Sequence, residues 1–457
     1  PYLYTNRCGK PVDELWTNLG PEVINISYTG SRSIIHRVIQ IDFSSISAFL
    51  TGFSTYPQPL RLRLRIFTIF FLYKQTHQTV RKGELSTIMK LVFDKADLVK
   101  SVGIAMKAVS GKTTMPILEC ILIDASSNVI KFTSNDMELG IETIVTGMIL
   151  ERGIVALDAK IFSEIVRKLP DNQVTIETDE NLVTTITCEK AKFNIPGQSG
   201  EDFSYLPILE TSDCVSISQF TLKELIRQTI FSIAANENNK LMTGELFEIK
   251  DNTLRVVSLD GHRIAIRRIE LKDSYPDRKV VVPGKTLNEI SKILSGEMDD
   301  QIDIYFSENH IMFKFDDTTV VSRLIDGEYF RIDQMLSSDY ETKVTINKKE
   351  FLSCIDRATL LVKEGDKKPI IIDIQDGAME LQINSAMGSM KEEIDINKEG
   401  KDIMIGFNPK FLIDALRVID DEEISIYLVN PKAPCFIRNE EESYIYLILP
   451  VNFNSVR

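Results

Sequence analysis

The sequence predicts an α+β protein made of three copies of one domain, each with two helices packed on antiparallel sheets, and three observations carry that reading. The segments ALDAKIFSEIVRKLP, VVPGKTLNEISKILS and GFNPKFLIDALRVID share an entry and a helical body, with Lys160, Lys285 and Lys410 each 125 residues apart. A second trio, FDKADL from Phe93, FTLKEL from Phe220 and INKKEF from Ile346, recurs at 127 and 126 residues. Between the helices lie alternating apolar and polar runs broken by turn residues, the pattern of β-hairpins. The trios also overlay each other, FDKADLVKSV on LDAKIFSEIV at an offset of 64, so the unit is a half-domain of about 62 residues present six times.

Taken in order, the chain first presents 88 residues unlike the rest. They carry ten Lys/Arg against five Asp/Glu, whereas the remainder carries 43 against 61, and all thirteen methionines lie at or after Met89. Residues 1–88 are therefore expected to be read-through of upstream sequence or a disordered segment, with the native start at Met89. The apolar run Ile66 to Tyr73 is too short for a bilayer, which needs about 20 apolar residues, and it lies too far in for a signal peptide. The three domains then occupy 89–210, 211–338 and 339–457.

Within each domain the helices explain themselves. Phe162, Ile165, Val166 and Leu169 follow the i, i+3, i+4, i+7 spacing, as do Leu412, Ala415, Leu416 and Ile419, so one face of each helix is buried. VTIETDENLVTTIT and IDIYFSENHIMFKF alternate with period two about a turn and read as hairpins. An amphipathic helix needs a sheet to cover, and an antiparallel sheet has one face to offer.

Composition narrows the function classes. The six cysteines lie far apart with no C-x-x-C, which suggests neither zinc nor a disulfide framework and fits reduced cytosolic thiols. No G-x-x-x-x-G-K-S/T loop is present, so any ATP-driven step belongs to another protein. The part from Met89 onward has a net charge of −18, yet Lys100 and Lys107, Lys160 and Arg167, Lys285 and Lys292, and Lys410 and Arg417 each stand seven residues apart, two turns along one helix face. Such a face is either ordinary solvated lysine or a loose contact with phosphates, in a protein too acidic to hold DNA tightly without sequence preference. The first-helix lysines do not share the register of the second-helix ones.

The stretches MKLVFDKADLVKSV, KTTMPILECILI, VVSLDGHRIAI, VVPGKTLNEI and YLILP, in this order and with the threefold repeat, resemble the bacterial DNA polymerase III β subunit, the β sliding clamp, from Met89 to the C-terminus. The resemblance implies a head-to-tail dimer closing as a ring of six domains around duplex DNA, with helices lining the hole and sheets outside. It implies a non-catalytic processivity factor without cofactors in the bacterial cytoplasm, associated with the nucleoid and with no membrane partner. A clamp loader would open the ring, and replicative and translesion polymerases, mismatch-repair proteins and ligase-type clients would bind it through short peptides. The peptide groove is carried over to Met242, to Leu259, Gly261, His262, Arg263 and Ile264, to Phe330, Gln334 and Met335, to Pro434, and to Leu447, Leu449, Pro450, Val451 and Asn452. Lys112 takes the place of a loop residue that contacts DNA. Ring closure falls to Phe193 and Ile195 against Leu360 and Leu361, with Lys190 and Lys192 available for acidic partners. Two departures stand out: DGEYFRIDQM puts Phe330 and Arg331 where the family has Pro, Asp/Asn and an aromatic, and the chain ends PVNFNSVR rather than Pro-Met-Arg plus an apolar residue.

Two rivals belong to other classes. A hydrolase would use His262 as general base oriented by Asp260, but four histidines, two of them before Met89, leave little material for a catalytic set. A monomeric repeat scaffold would bind proteins without encircling DNA.

Overall fold

Each helix in the computed structural model is entered directly from a strand, and the residue at the join explains why the chain changes conformation there. The structure describes residues 88–111, 113–209, 214–235, 239–362 and 368–453; the expectations for residues 1–87, Lys112 and residues 454–457 lie outside the described residues. The helices are α1 (Lys95–Ala105), α2 (Ala159–Lys168), α3 (Gln219–Arg227), α4 (Gly284–Ser291), α5 (Lys348–Thr359) and α6 (Pro409–Val418). Four of them begin at a side-chain cap. Asp158 accepts from the Ile161 N–H at 2.7 Å, Ser218 from Thr221 at 3.0 Å, Asn347 from Glu350 at 3.1 Å and Asn408 from Lys410 at 3.1 Å. Each such bond satisfies an otherwise orphaned helix donor and is worth about 1 kcal/mol.

α4 has no side-chain cap and enters through Pro283 and Gly284 instead. The glycine is a packing requirement: a Cβ there would lie 2.4 Å from Ile233 Cδ1 and 2.8 Å from the Thr243 carbonyl oxygen. That contact explains the PGK entry of the middle copy.

The helices pack in pairs, α1 on α2, α3 on α4 and α5 on α6. Each pair covers its own core. Phe93, Phe132 and Phe162 stack edge to face in the first domain, at 6.0 and 6.1 Å between centroids. Phe247, Phe313, Leu287 and Ile290 belong to the second core, and Phe351, Leu412, Leu416 and Phe407 to the third. The anticipated stripes are buried as the spacing requires, except that Ile165 is half-buried. The hairpins form too: Gln173–Thr178 pairs with Val183–Cys188, and Gln301–Phe306 with His310–Phe315, both antiparallel.

The sheets do not stop at the domain boundaries. Leu139 to Thr143 of the first domain pair with Ser322 to Thr318 of the second, making one 13-stranded sheet. Arg263 to Arg267 of the second pair with Ile448 to Tyr444 of the third, making a seven-stranded sheet. Offsets of 124 on one strand and 126 on the other carry the first set of five pairs onto the second. The two internal junctions are therefore the same antiparallel pairing in the same register.

Candidate functional site

At the junction of the second and third domains the inter-domain strand pair brings side chains from four parts of the sequence onto one surface. Leu259, Ile264 and Leu447 are buried in a single apolar cluster with Tyr329, Ile332 and Phe436, while Met242, Phe330 and Leu449 lie partly exposed against it. The buried members form a floor, and the half-exposed ones are free to meet an incoming apolar group. Gln334 and Met335 are exposed between Ile332 and Leu336, which both pack on the cluster. Pro434 is half-buried and leads into the neighbouring strand Cys435–Arg438. Pro450 and Val451 are half-buried and Asn452 is exposed; the Val451 N–H donates to the Gly406 carbonyl at 2.8 Å, which draws the tail onto the third domain.

The turn Asp260–Gly261–His262 closes one end. Gly261 has φ +88°, the left-handed region that favours glycine, and both it and His262 are exposed. Asp260 Oδ1 accepts from the N–H groups of His262 (2.9 Å) and Arg263 (3.1 Å), and the His262 carbonyl accepts from the Leu449 N–H at 2.9 Å. The imidazole stacks on Phe411, 6.1 Å between centroids. Asp260 Oδ2 is engaged by Arg263 Nε at 3.0 Å, so the carboxylate does not orient the imidazole and the His262–Asp260 pair weighed for a hydrolase is not assembled.

Arg263 corrects the picture of an open groove wall. It is 7% exposed, and its guanidinium reaches Asp260, Asp414 on α6 at 2.7 Å and the Phe231 carbonyl at 2.6 Å. Phe411 and Asp414, neither anticipated from the sequence, come from α6 of the third domain; only the fold brings them here. A second arginine, Arg255, pins the segment carrying Gln334 and Met335 through Asp333 at 2.6 Å and holds that carboxyl below its ordinary range. Beneath the surface Glu245 is fully buried, neither of its carboxylate oxygens has a hydrogen-bond partner among the described residues, and desolvation pushes its carboxyl up to about 8.

The cations divide into two groups. Lys100, Lys160 and Lys410 are exposed without an acidic partner among the described residues, and exposed Arg167 donates only to the Ser163 carbonyl at 3.3 Å. Lys285 instead pairs with Asp136 of the first domain, Lys292 with Glu289 at 2.7 Å, and Arg417 with Asp356 on α5 at 3.3 Å. Exposed pairs of this kind are worth about 0–1 kcal/mol and leave the cation free to exchange partners. Lys107 lies past α1 in the short turn Met106–Ala108 and is half-buried.

One strand of the first domain and one of the third each leave an edge open among the described residues. Ala191–Pro196 pairs only with Val183–Cys188, and Gly388–Asp395 only with Ala378–Ser385. Lys190, Lys192 and Phe193 are exposed on the first edge, but Ile195 is 9% exposed and faces the first domain's own core, so its side chain is not available in the way expected. Leu360 is 75% exposed near the second edge, and Leu361 is half-buried on the third core. Among the described residues no group of three or more His, Cys, Asp or Glu could hold a metal, and no helix is long and apolar enough to cross a membrane.

Comparison with known proteins agrees along the whole described region. Residues 89–207 match the N-terminal domain of the DNA polymerase III beta subunit, 216–330 its central domain and 333–452 its C-terminal domain. The beta sliding clamp of Staphylococcus epidermidis is 33% identical over 375 residues, 80% of this chain and 99% of that protein. A crystal structure of a DNA polymerase III beta subunit from Eubacterium rectale is 71% identical with a TM-score of 0.78, and the sliding clamp of Bacillus subtilis is 35% identical with a TM-score of 0.77; each covers 80% of this chain and all of the other.

Proposed function

The chain belongs to the DNA polymerase III β subunit family, and from that premise we propose that it is a sliding clamp: a ring that encircles duplex DNA and holds polymerases on it. The reading is of a non-catalytic cytoplasmic protein. A threaded ring need not bind tightly, because leaving requires opening rather than loss of contacts, so a few screened phosphate contacts suffice and sliding is allowed. Lys100, Lys160, Arg167, Lys285, Lys292, Lys410 and Arg417 are assigned to those contacts, and the half-buried Lys107 a lesser part. Clients bound through a short peptide in the groove gain from effective concentration, since a client that lets go stays beside a ring that cannot leave. A separate loader supplies the opening.

One observation carries the closed ring. Both internal junctions are the same strand pairing, and the corresponding third pair of edges is open. An open edge is a template for pairing, and a head-to-tail pairing repeated at a fixed rotation closes a ring. Carrying the internal register to that pair sets Met390 of one copy opposite Phe193 of another, with Leu360 and Leu361 close by. A homodimer with two such contacts leaves neither edge exposed.

The test uses topology. Protein loaded on circular DNA should remain at about 0.15 M salt, where exposed-charge contacts are largely screened, and should fall away when the circle is cut. Equal retention on circular and linear DNA would sink the encirclement reading in favour of ordinary binding. Alanine at Lys160, Arg167, Lys285, Lys292, Lys410 and Arg417 together should impair loading or retention while the fold survives; wild-type behaviour of that variant at low salt would mean the helices do not face DNA. Cysteines at Phe193 and Met390 should cross-link between copies under oxidation, and a purely monomeric product would remove the dimer.

A further inference from the structure

We propose that Arg263 is a positioning residue for the peptide groove, rather than a peptide contact, and that it ties the groove to helix α6 of the third domain; this rests on the groove reading above. The position is singular within the repeat. At the same place in the junction register the first domain has Leu139, which is buried among apolar side chains, and that junction keeps all five strand pairs. An apolar side chain is thus enough to hold such a junction. Burying a guanidinium in its place brings little net stability, because desolvation consumes most of the Coulombic gain, so its reason lies elsewhere.

The geometry supplies one. The guanidinium is 7% exposed and committed to Asp260 Oδ2 (3.0 Å), Asp414 Oδ2 (2.7 Å) and the Phe231 carbonyl (2.6 Å). Its central carbon lies 4.5 Å from the centroid of Phe411 and 5.3 Å from that of Phe231. Asp260, oriented by this contact, holds the N–H groups of His262 and Arg263 with its other oxygen. The His262 carbonyl then fixes Leu449, a half-exposed wall of the groove. A line of hydrogen bonds therefore runs from Asp414, one turn from Lys410 on α6, to the position of Leu449. If Asp414 lets go, Arg263 loses its anchor in the third domain, and the turn and Leu449 shift without any change in the residues that line the groove.

The experiment is titration of a fluorescent peptide derived from the replicative polymerase against the intact dimer carrying Asp414→Asn, Asp414→Glu, Arg263→Ala, both Arg263→Ala and Asp414→Asn, or Leu449→Ala. Asp414→Asn keeps shape and removes charge, so it carries the test even where Arg263→Ala fails to fold. The expected result is a dissociation constant raised roughly three- to tenfold by Asp414→Asn. Asp414→Glu should recover most of the affinity, and the double variant should be no worse than Arg263→Ala. Wild-type affinity for Asp414→Asn beside weakened binding for Arg263→Ala and Leu449→Ala would make Arg263 a direct contact and overturn the proposal. Unchanged binding by Leu449→Ala would instead remove the groove reading, and the proposal with it.

Discussion

The two internal junctions share a backbone and differ in what stands on it. At the first, Leu139 sits in the second domain's core, the hydroxyls of Thr143 and Thr318 meet across the strands at 3.0 Å, and the charged contact joins the exposed Lys285 to the buried carboxylate of Asp136. At the second, the equivalent of Leu139 is Arg263, clamped between Asp260 and Asp414, while Arg227 and Gln228 both reach Asp420. The half-exposed apolar rim of Met242, Phe330 and Leu449 stands at the second junction. Strand register therefore builds the scaffold twice, and a handful of side chains sets the two copies apart, the second being the one proposed to bind peptides.

The largest expected effect comes from making the second junction imitate the first. Arg263→Leu should cost about 3–5 kcal/mol in urea unfolding, because it leaves the half-buried carboxylates of Asp260 and Asp414 without their partner. Adding Asp260→Asn and Asp414→Asn should recover most of that stability but not the peptide affinity. Full recovery of both would dissolve the contrast between the junctions.

Glu245 offers a pH test of the same region. Its folded carboxyl titrates near 8 against an ordinary value of 4.5. Below the ordinary value the group is neutral in both states and costs nothing. As pH rises the unfolded chain ionises first, so stability is lost progressively up to the folded value and is level above it. Glu245→Gln should remove that loss and stabilise the protein by up to about 4 kcal/mol at pH 7.5, with little change at pH 4.5. A urea midpoint with the same pH dependence in both proteins would show that Glu245 does not stay neutral in the fold.

Leu449→Ala should weaken peptide binding by about 2 kcal/mol, the cost of truncating an apolar hot-spot side chain, while leaving the dimer intact in sedimentation. The smallest effect belongs to the first junction's ion pair. Lys285→Ala should cost no more than about 1 kcal/mol, since the lysine is half in solvent. A larger loss in thermal unfolding would mean that this junction too depends on charge.

The threefold plan, the helix stripes and the hairpins were legible because hydrophobic periodicity is local: the side chains that reveal α2 and α6 are neighbours along the helix. The cap residues Asp158, Ser218, Asn347 and Asn408 act on their own next turn. Much of the proposed groove was suggested only by family resemblance, because Met242, Leu259, Phe330 and Leu447 have no local signature beyond being apolar. Resemblance put Arg263 among the groove residues, and nothing nearby announced Asp414, which is 151 residues away. Ile195 looked free for a partner, but the strand turns that side chain into the domain's own core. Lys285 and Arg417 looked like free cations until the fold set Asp136 and Asp356 beside them, whereas the partner of Lys292, Glu289, stands only three residues before it. By itself the sequence determined which segments become helices and strands and how often the unit recurs, since those follow from short-range pattern. Which faces meet, which long-range charges are paired and how two equivalent junctions differ in their side chains were decided by tertiary structure, because burial and such ion pairing depend on distances between residues that only folding brings together.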